Sequence, residues 1–322
     1  MPALTEGAFE FQLCAHVERV RTAVVARQIG ASPLRDRRRI IDIVAVAPGP
    51  AFEARSQIGP ATIPEELIRA EIPSGRAVPV GQCLSIGPPY RETVLEAGVA
   101  AGYIECERRA GRTYVRRTVA YPSDWFGPIL AIENKPDLNR PGALTEQLRF
   151  DLSLAVADRV VIATASSVTG AHLNRIPAAV GVWEFDPAAG ALTVHREPAA
   201  LPVDSPAMVP TEQRSDHTEL RPVSIGQKQR LRRQIAERAY GRGWRRFPLV
   251  GCTHFHLDDA AAPRCRELDR PIDPTHTCST HCPYFTGASP PTDIRIQKRA
   301  ERTPWEPEVD GFAREQSRIG EF

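Results

Sequence analysis

Lysine is nearly absent from this chain. Of its 41 basic residues only Lys135, Lys228 and Lys298 are lysines, so a lysine at the end of an apolar run needs a reason. Long apolar runs are missing too. The longest, Ile40 to Pro48, is broken by Asp42 and falls far short of the roughly 18 residues that cross a bilayer, so no membrane span is expected. The beginning, MPALTEGAFEF, shows neither a basic segment nor an apolar one behind it; no secretory signal is expected, and the cytoplasm is the expected location. Net charge is also small, +2, and 42% hydrophobic with 25% charged residues describes a globular chain rather than a disordered or fibrous one.

At 322 residues the chain suggests two domains, or one with a large insertion. Residues 8 to 29 read as an amphipathic helix, with Leu13, Val17, Val20 and Val24 on one stripe, Glu18 beside it and Gly30 as a stop. Arg37 to Pro48 reads as a buried strand with Asp42 in its middle. Residues 51 to 122 shift to Pro, Gly and Arg. Within them Tyr90 to Ala101 can form a helix, and Tyr103 to Glu107 can pair with Arg112 to Arg117 across Ala110-Gly111. A helix followed by a basic hairpin resembles the recognition helix and wing of a winged helix-turn-helix. Arg108, Arg109, Arg112, Arg116 and Arg117 would then face phosphates. The plainer alternative is a solvated arginine-rich hairpin that binds nothing.

Residues 128 to 134 (PILAIEN) read as a second buried strand. Pro141-Gly142 opens a helix to about Ala157, and Arg159 to Thr164 forms a third strand, giving an α/β layered core. GVWEFDPAAGALTVHRE reads as a closing hairpin. The expected organisation is a discontinuous core at 1–50 and 123–197, an insertion at 51–122, a linker at 198–226, a basic helix with a Cys/His module at 227–286, and a disordered tail or interaction arm at 287–322. Gln227 to Phe247 holds eight basic residues against one acidic. Leu231 and Ile235 would anchor this helix, leaving Lys228, Arg232 and Arg233 for nucleic acid.

The pattern that suggests chemistry is Asp42 in one apolar strand and Glu133-Asn134-Lys135 at the end of another, followed twelve residues later by Gln147. Such side chains are costly to bury unless they are paired or bind something. Two carboxylates converging from adjacent strands suit Mg²⁺ or Mn²⁺. Glu133 and Lys135, two apart, share a strand face. Phosphodiester hydrolysis needs such a set: a divalent ion polarises the phosphate and activates water, while a cation offsets the charge that develops. Gln147 would orient the water, the base or the phosphate.

These residues, Asp42 in IIDIVAV, Glu133 and Lys135 in LAIENKP and Gln147 in LTEQLRFDL, resemble the PD-(D/E)XK nuclease superfamily. Its core is helix, strands, helix, strand, with Asp in one strand and Glu-x-Lys in the next. The resemblance implies a restriction-endonuclease-like core over roughly residues 8 to 48 and 125 to 195. It also implies that Asp42 and Glu133 bind metal, that Lys135 assists the nucleophile, and that Glu18 is a supplementary acid on the first helix. Ile41 stands where the superfamily's namesake proline would be. The segments FEFQLCAHVE, AIENKPDL and AHLNRIPAAVGVW make the whole chain similar to an uncharacterised, mainly haloarchaeal family of such proteins.

Cys252, Cys265, Cys278 and Cys282 lie in one short stretch with His254, His256, His276 and His281. In a reducing compartment this spacing points to metal rather than disulfide. Four thiolates would close a structural Zn²⁺ site. The alternative is a [4Fe–4S] cluster, as in the Cas4 and AddB members of that superfamily; there Cys14 would be the upstream ligand, in place of Cys252 or Cys265. The sequence therefore suggests a metal-dependent nuclease acting on DNA in repair, recombination or defence. A non-catalytic DNA-binding protein or regulator on a degenerate nuclease fold is the alternative, and an RNA-processing factor a third.

Overall fold

The computed structural model describes residues 5–33, 39–139, 144–213 and 218–308. The chain divides after Gly49, Trp125 and Pro304 into two compact units. The first is a mixed α/β structure around a six-stranded sheet. Its strands lie in the order Val24–Gly30, Ile40–Pro48, Phe126–Asn134, Arg159–Thr164, Gly181–Asp186 and Ala191–Arg196. The first three form an antiparallel meander, the third, fourth and fifth run parallel, and the last turns back antiparallel. A parallel return needs a crossover, which helix Leu144–Leu154 supplies between the third and fourth strands.

Helix Glu6–Val20 starts at Thr5, whose hydroxyl accepts the Ala8 N–H at 3.3 Å. It buries Phe9, Leu13 and Val17 with Val25, Ile43, Ile132, Val161 and Phe185 on one face of the sheet. The alternate residues Val44, Val46, Ala131 and Val160 are buried as well, so both faces are covered. Helix Ile225–Arg242 packs on the first two strands. Ser224 and Gln227 form its capping box, and Gly243, at φ 61°, ends it. No helix among the described residues is long and apolar enough to cross a membrane.

Three sequence expectations are corrected here. The first helix stops at Val20 instead of running to residue 29. Val20 is 55% exposed, so its helical spacing from Val24 was coincidental. Val24 and Val25 pair instead with Val46 and Ala45, as β-branched residues favour. The expected linker, 198–226, contains the hairpin Ala207–Gln213 and Thr218–Val223, which buries Ala207, Val209 and Val223. The expected tail contains helix Arg295–Arg302, where buried Arg299 donates to the Ala239 carbonyl at 3.3 Å and to that of Tyr240. Arg37, Arg38 and Pro141-Gly142 lie outside the described residues.

In the second unit, helix Glu65–Arg69, strand Val78–Pro79 and helices Val80–Cys83 and Pro88–Ala100 precede a hairpin, Ile104–Arg109 with Arg112–Arg117. Val78–Pro79 pairs with Arg112–Arg117, making a three-stranded sheet with that strand central. Ala110 and Gly111 both have positive φ, 46° and 75°, as a two-residue turn matched to strand twist requires. A core of Ile58, Leu67, Val94, Tyr103, Ile104 and Val115 holds this unit together.

Candidate active site

The ladder between Ile40–Pro48 and Phe126–Asn134 pairs Ile43 with Ile132. One step further, the same register sets Asp42 opposite Glu133, two carboxyl groups on one face of the sheet. Like charges directly opposite each other destabilise a sheet. Burial pushes the Glu133 carboxyl up to about 8, the charge of Asp42 adding to it and Arg39 opposing it. Asp42 is also raised, by burial first, while the Asn134 main-chain N–H, 2.9 Å from Oδ2, and Arg39 pull it down and Glu6 pushes it up.

Arg39, buried at the head of the Asp42 strand, joins this strand to the helix that follows Glu133. Its guanidinium is bonded to Glu133 and holds Asp151 through Nε at 2.8 Å and Nη2 at 2.5 Å. Asp151, on helix Leu144–Leu154, is raised by burial and lowered by that arginine. From the other side, Gln28 donates to Glu10 Oε2 at 3.0 Å and to Asp42 Oδ1 at 3.5 Å. Gln28 has φ 55°, a left-handed conformation rare for a residue with a side chain. It breaks the ladder between the Arg27–Ile43 and Ile29–Ile41 pairs. Glu10, buried on the first helix and bonded to Arg27, is raised by burial and also feels Asp42.

The structure thus brings Asp42 and Glu133 together, with Asn134 beside them. Asn134 is buried, its Oδ1 has no hydrogen-bond partner, and its Nδ2 donates to the Glu6 carbonyl at 3.0 Å. Lys135 is half-buried at the strand end and its amine makes no ion pair with the described residues; its main-chain N–H joins Ala163. Gln147 is exposed on its helix, and Asp151, one turn on, is the helix residue that reaches the cluster. Glu18 lies elsewhere. It is buried against Arg245 at 2.5 and 2.9 Å and accepts the Trp244 indole N–H at 3.0 Å, so its expected place among the site acids is corrected in favour of Glu10. Arg39, Asp151, Glu10 and Gln28 escaped the sequence reading. The one available signal was Glu10, an acid set between two phenylalanines.

The expected cationic contacts also divide. Lys228 is fully buried, donating to the Pro202 and Ser205 carbonyls at 2.8 and 2.9 Å, which removes it from any ligand. Arg232 is held by the Val156 carbonyl at 2.7 Å and Asp158 at 3.0 Å, and Arg233 is half-buried and engaged. The exposed bases of this helix lie at its end instead. Arg238 donates to the Gly30 carbonyl at 3.0 Å. Burial and the charges of Arg238 and Arg246 depress Arg242. Gly30 closes the strand that carries Gln28, so Arg238 reaches the same end of the sheet as Asp42. In the hairpin of the second unit, Glu107 pairs with Arg109 at 2.5 Å and Glu105 with Arg116 at 2.6 Å. Arg117 is partly buried, whereas Arg108 and Arg112 are exposed.

Cys252, Cys265, Cys278 and Cys282 share one locale. Burial, then the charges of Cys265, Cys282 and Cys252, push the Cys278 thiol up to about 11. Cys265 lies in a small three-stranded sheet, paired with Phe255 and Arg270, and Cys252 bridges to Gly287. Cys14 is buried on the first helix, its thiol raised by burial and by Glu10. Among the described residues no three His, Cys, Asp or Glu side chains are drawn up around a single ion position.

Residues 24–287 match the model of a family of unknown function, DUF5787, so the chain belongs to that family. No curated protein and no solved structure matches it.

Proposed function

We propose that this protein is a metal-dependent nuclease that hydrolyses phosphodiester bonds of DNA. The observation that carries the reading is the cross-strand pair Asp42 and Glu133: two carboxyls set face to face by the strand register, both raised by burial. The chain order supports it: helix, strand, strand with Asp42, strand ending in Glu133-Asn134-Lys135, crossover helix, parallel strand. That is the order of the PD-(D/E)XK core.

The donor set, two carboxylates, is all oxygen, which fits a hard divalent ion. Asp42 and Glu133 would hold Mg²⁺ or Mn²⁺, which when bound polarises the phosphate and lowers the pKa of water. Arg39, itself held by Asp151, neutralises the Glu133 carboxylate in the metal-free protein, and an arriving cation would share or replace that contact. Lys135, at the strand end and in no ion pair with the described residues, would offset charge on a phosphate. Arg238, at the same end of the sheet, and the exposed Arg242 and Arg246 would hold neighbouring phosphates, a sequence-independent and salt-sensitive contact.

The four clustered thiols suit a soft metal. Cys252, Cys265, Cys278 and Cys282 would hold a structural Zn²⁺, which would staple a segment with few apolar residues, or a [4Fe–4S] cluster. In the second unit, the order helix, helix, strand, helix, helix, hairpin, with its first strand on its last, supports a winged-helix reading in which the exposed Arg108 and Arg112 are the wing cations.

One observation favours a second reading, a non-catalytic DNA-binding protein on the same fold: Arg39 already satisfies the Glu133 carboxylate. Incubating the purified protein with single-stranded, double-stranded and branched DNA plus Mg²⁺ or Mn²⁺, beside Asp42→Asn and Glu133→Gln, separates the two. Cleavage lost in both variants supports the nuclease. Tight, salt-sensitive binding with no cleavage in any protein supports the binding reading.

A further inference from the structure

A second concave site lies on the first unit, lined by none of the residues bonded to Asp42 or Glu133. It is a cavity of about 600 Å³ between the later turns of helix Glu6–Val20, the Phe185–Gly190 end of the last hairpin and the Phe255–Leu257 strand, a size within the range of small-molecule sites. Two of its lining residues carry a buried polar atom without a hydrogen-bond partner among the described residues: Gln12 at Nε2 and His256 at Nδ1. Buried polar groups are nearly always paired, so these two residues keep hydrogen-bonding capacity that the protein itself leaves unused.

Three arginines complete the wall, and among the described residues none of them is joined by an ion pair to Asp258 or Asp259. Arg19 donates to His16 Nδ1 and to the Gly190 carbonyl, each at 3.1 Å. Arg302 donates to the Asp259 main-chain carbonyl at 2.9 Å. Arg264 makes no ion pair with the described residues. Of the two acids on the wall, Asp258 spends Oδ1 on the main-chain N–H groups of Ala260 and Ala262, both at 2.9 Å, and Asp259 is exposed. Burial and neighbouring arginines depress both His16 and His256, so at neutral pH these rings offer hydrogen bonds rather than charge. Phe185 supplies an aromatic surface under the pocket, already touched by the His16 ring at 5.1 Å between centroids.

We propose that this cavity binds a nucleoside monophosphate, with the phosphate on Arg19, Arg264 and Arg302 and the base directed to the Gln12 amide and the His256 ring. Guanidinium groups suit the phosphate as charge-assisted donors. An amide donor and an imidazole suit the edge of a base, whose flat face rests on apolar wall. The same chemistry is offered by a free nucleotide and by the 5′-phosphorylated end of a strand. The assignment stands apart from the nuclease reading, because none of its residues belongs to the Asp42 cluster.

Calorimetric titration of the full-length protein without added divalent ion tests it, using AMP, GMP, CMP, UMP, adenosine, inorganic phosphate and a 5′-phosphorylated dinucleotide. At least one nucleotide or the phosphorylated dinucleotide should bind at a single site. Adenosine and inorganic phosphate should each bind about tenfold or more weakly, since each lacks half of the contacts. Arg264→Gln, Gln12→Leu and the exposed Arg19→Gln should each weaken binding about tenfold or more, while Asp42→Asn binds like the unaltered protein. Arg19→Gln, at a surface position, keeps the test usable should a buried variant fold poorly. Binding of the dinucleotide alone identifies a strand end as the source; binding of free nucleotides identifies a soluble ligand. No binding by any nucleotide, phosphate binding as tight as the best nucleotide, or binding abolished by Asp42→Asn but not by Arg19→Gln would overturn the assignment.

Discussion

The carboxylate of Glu133 is held by Arg39, ninety-four residues away in the sequence, and not by Lys135, two residues along its own strand. The guanidinium grips Asp151 with its other edge, so one buried cation ties the Asp42 strand, the Glu133 strand and the crossover helix together. Removing one member of a buried ion pair strands the rest without compensation, at a cost of about 3–5 kcal/mol. Arg39→Ala should therefore lower the stability of the fold by about that amount in urea unfolding. It should also make the protein more responsive to Mg²⁺, because two carboxyls lose their cation. An Arg39→Ala protein as stable as the parent, or with only the parent's response to Mg²⁺, would contradict this account of the cluster.

Glu18 and Glu10 sit two turns apart on one helix but do different work. Glu18 is tied to Arg245 and Trp244, and Glu10 faces Gln28 and Asp42. Glu18→Gln should destabilise the protein by about 3–5 kcal/mol, yet leave cleavage per folded molecule unchanged. Glu10→Gln should reduce cleavage with the smaller structural cost of an isosteric change. Paired thermal unfolding and single-turnover cleavage on both variants would show whether the two effects separate in this way.

Much of the core could be read from the sequence, because its signals are local. The run IIDIVAVAP is β-branched and closed by Pro-Gly-Pro, RVVIAT is short and apolar, and Ala110-Gly111 is a turn dipeptide. Asp42 and Glu133 stood out because acids are rare in such strands. What could not be read depends on partners distant in sequence. Arg39 looked like one more base in an arginine-rich chain, and Asp151 like an ordinary helical acid, until the crossover brought them together. Lys228 and Arg232 misled for the same reason: a basic helix looks alike whether its cations face water or cap main-chain carbonyls, and here the Pro202, Ser205 and Val156 carbonyls take them.

The cationic surface should follow exposure rather than sequence density. Arg242 and Arg246 are exposed and crowd one another's charge, whereas Lys228 is buried. Arg242→Gln with Arg246→Gln should weaken DNA binding and reduce the slope of log affinity against log salt by roughly two, about one for each lost phosphate contact. Lys228→Met should leave that slope unaltered and cost about 1–3 kcal/mol of stability through the two stranded carbonyls. Affinity measured by fluorescence anisotropy at several salt concentrations tests both, and an unchanged slope in the double variant would remove the helix end from the DNA surface.

The cysteine module makes a prediction independent of any nuclease activity. Residues 252 to 287 contain two short strand pairings, a bridge and a four-residue helix, too little regular structure to hold four half-buried thiols together without help. Metal would supply it, since binding free energy at such a site is folding free energy. Reduced protein stripped by a chelator should lose protection from hydrogen exchange across 252–287 while strands 40–48 and 126–134 keep theirs. Adding Zn²⁺ should restore that protection, and Co²⁺ should give the visible bands of a tetrahedral thiolate site. Iron with sulfide restoring it instead, with broad absorption near 400 nm typical of a [4Fe–4S] centre, would assign the cluster. Cys278→Ser should weaken metal retention strongly, and Cys83→Ser, in the other unit, should not. Full protection of 252–287 in metal-free protein would show that the four thiols are packing residues and carry no metal.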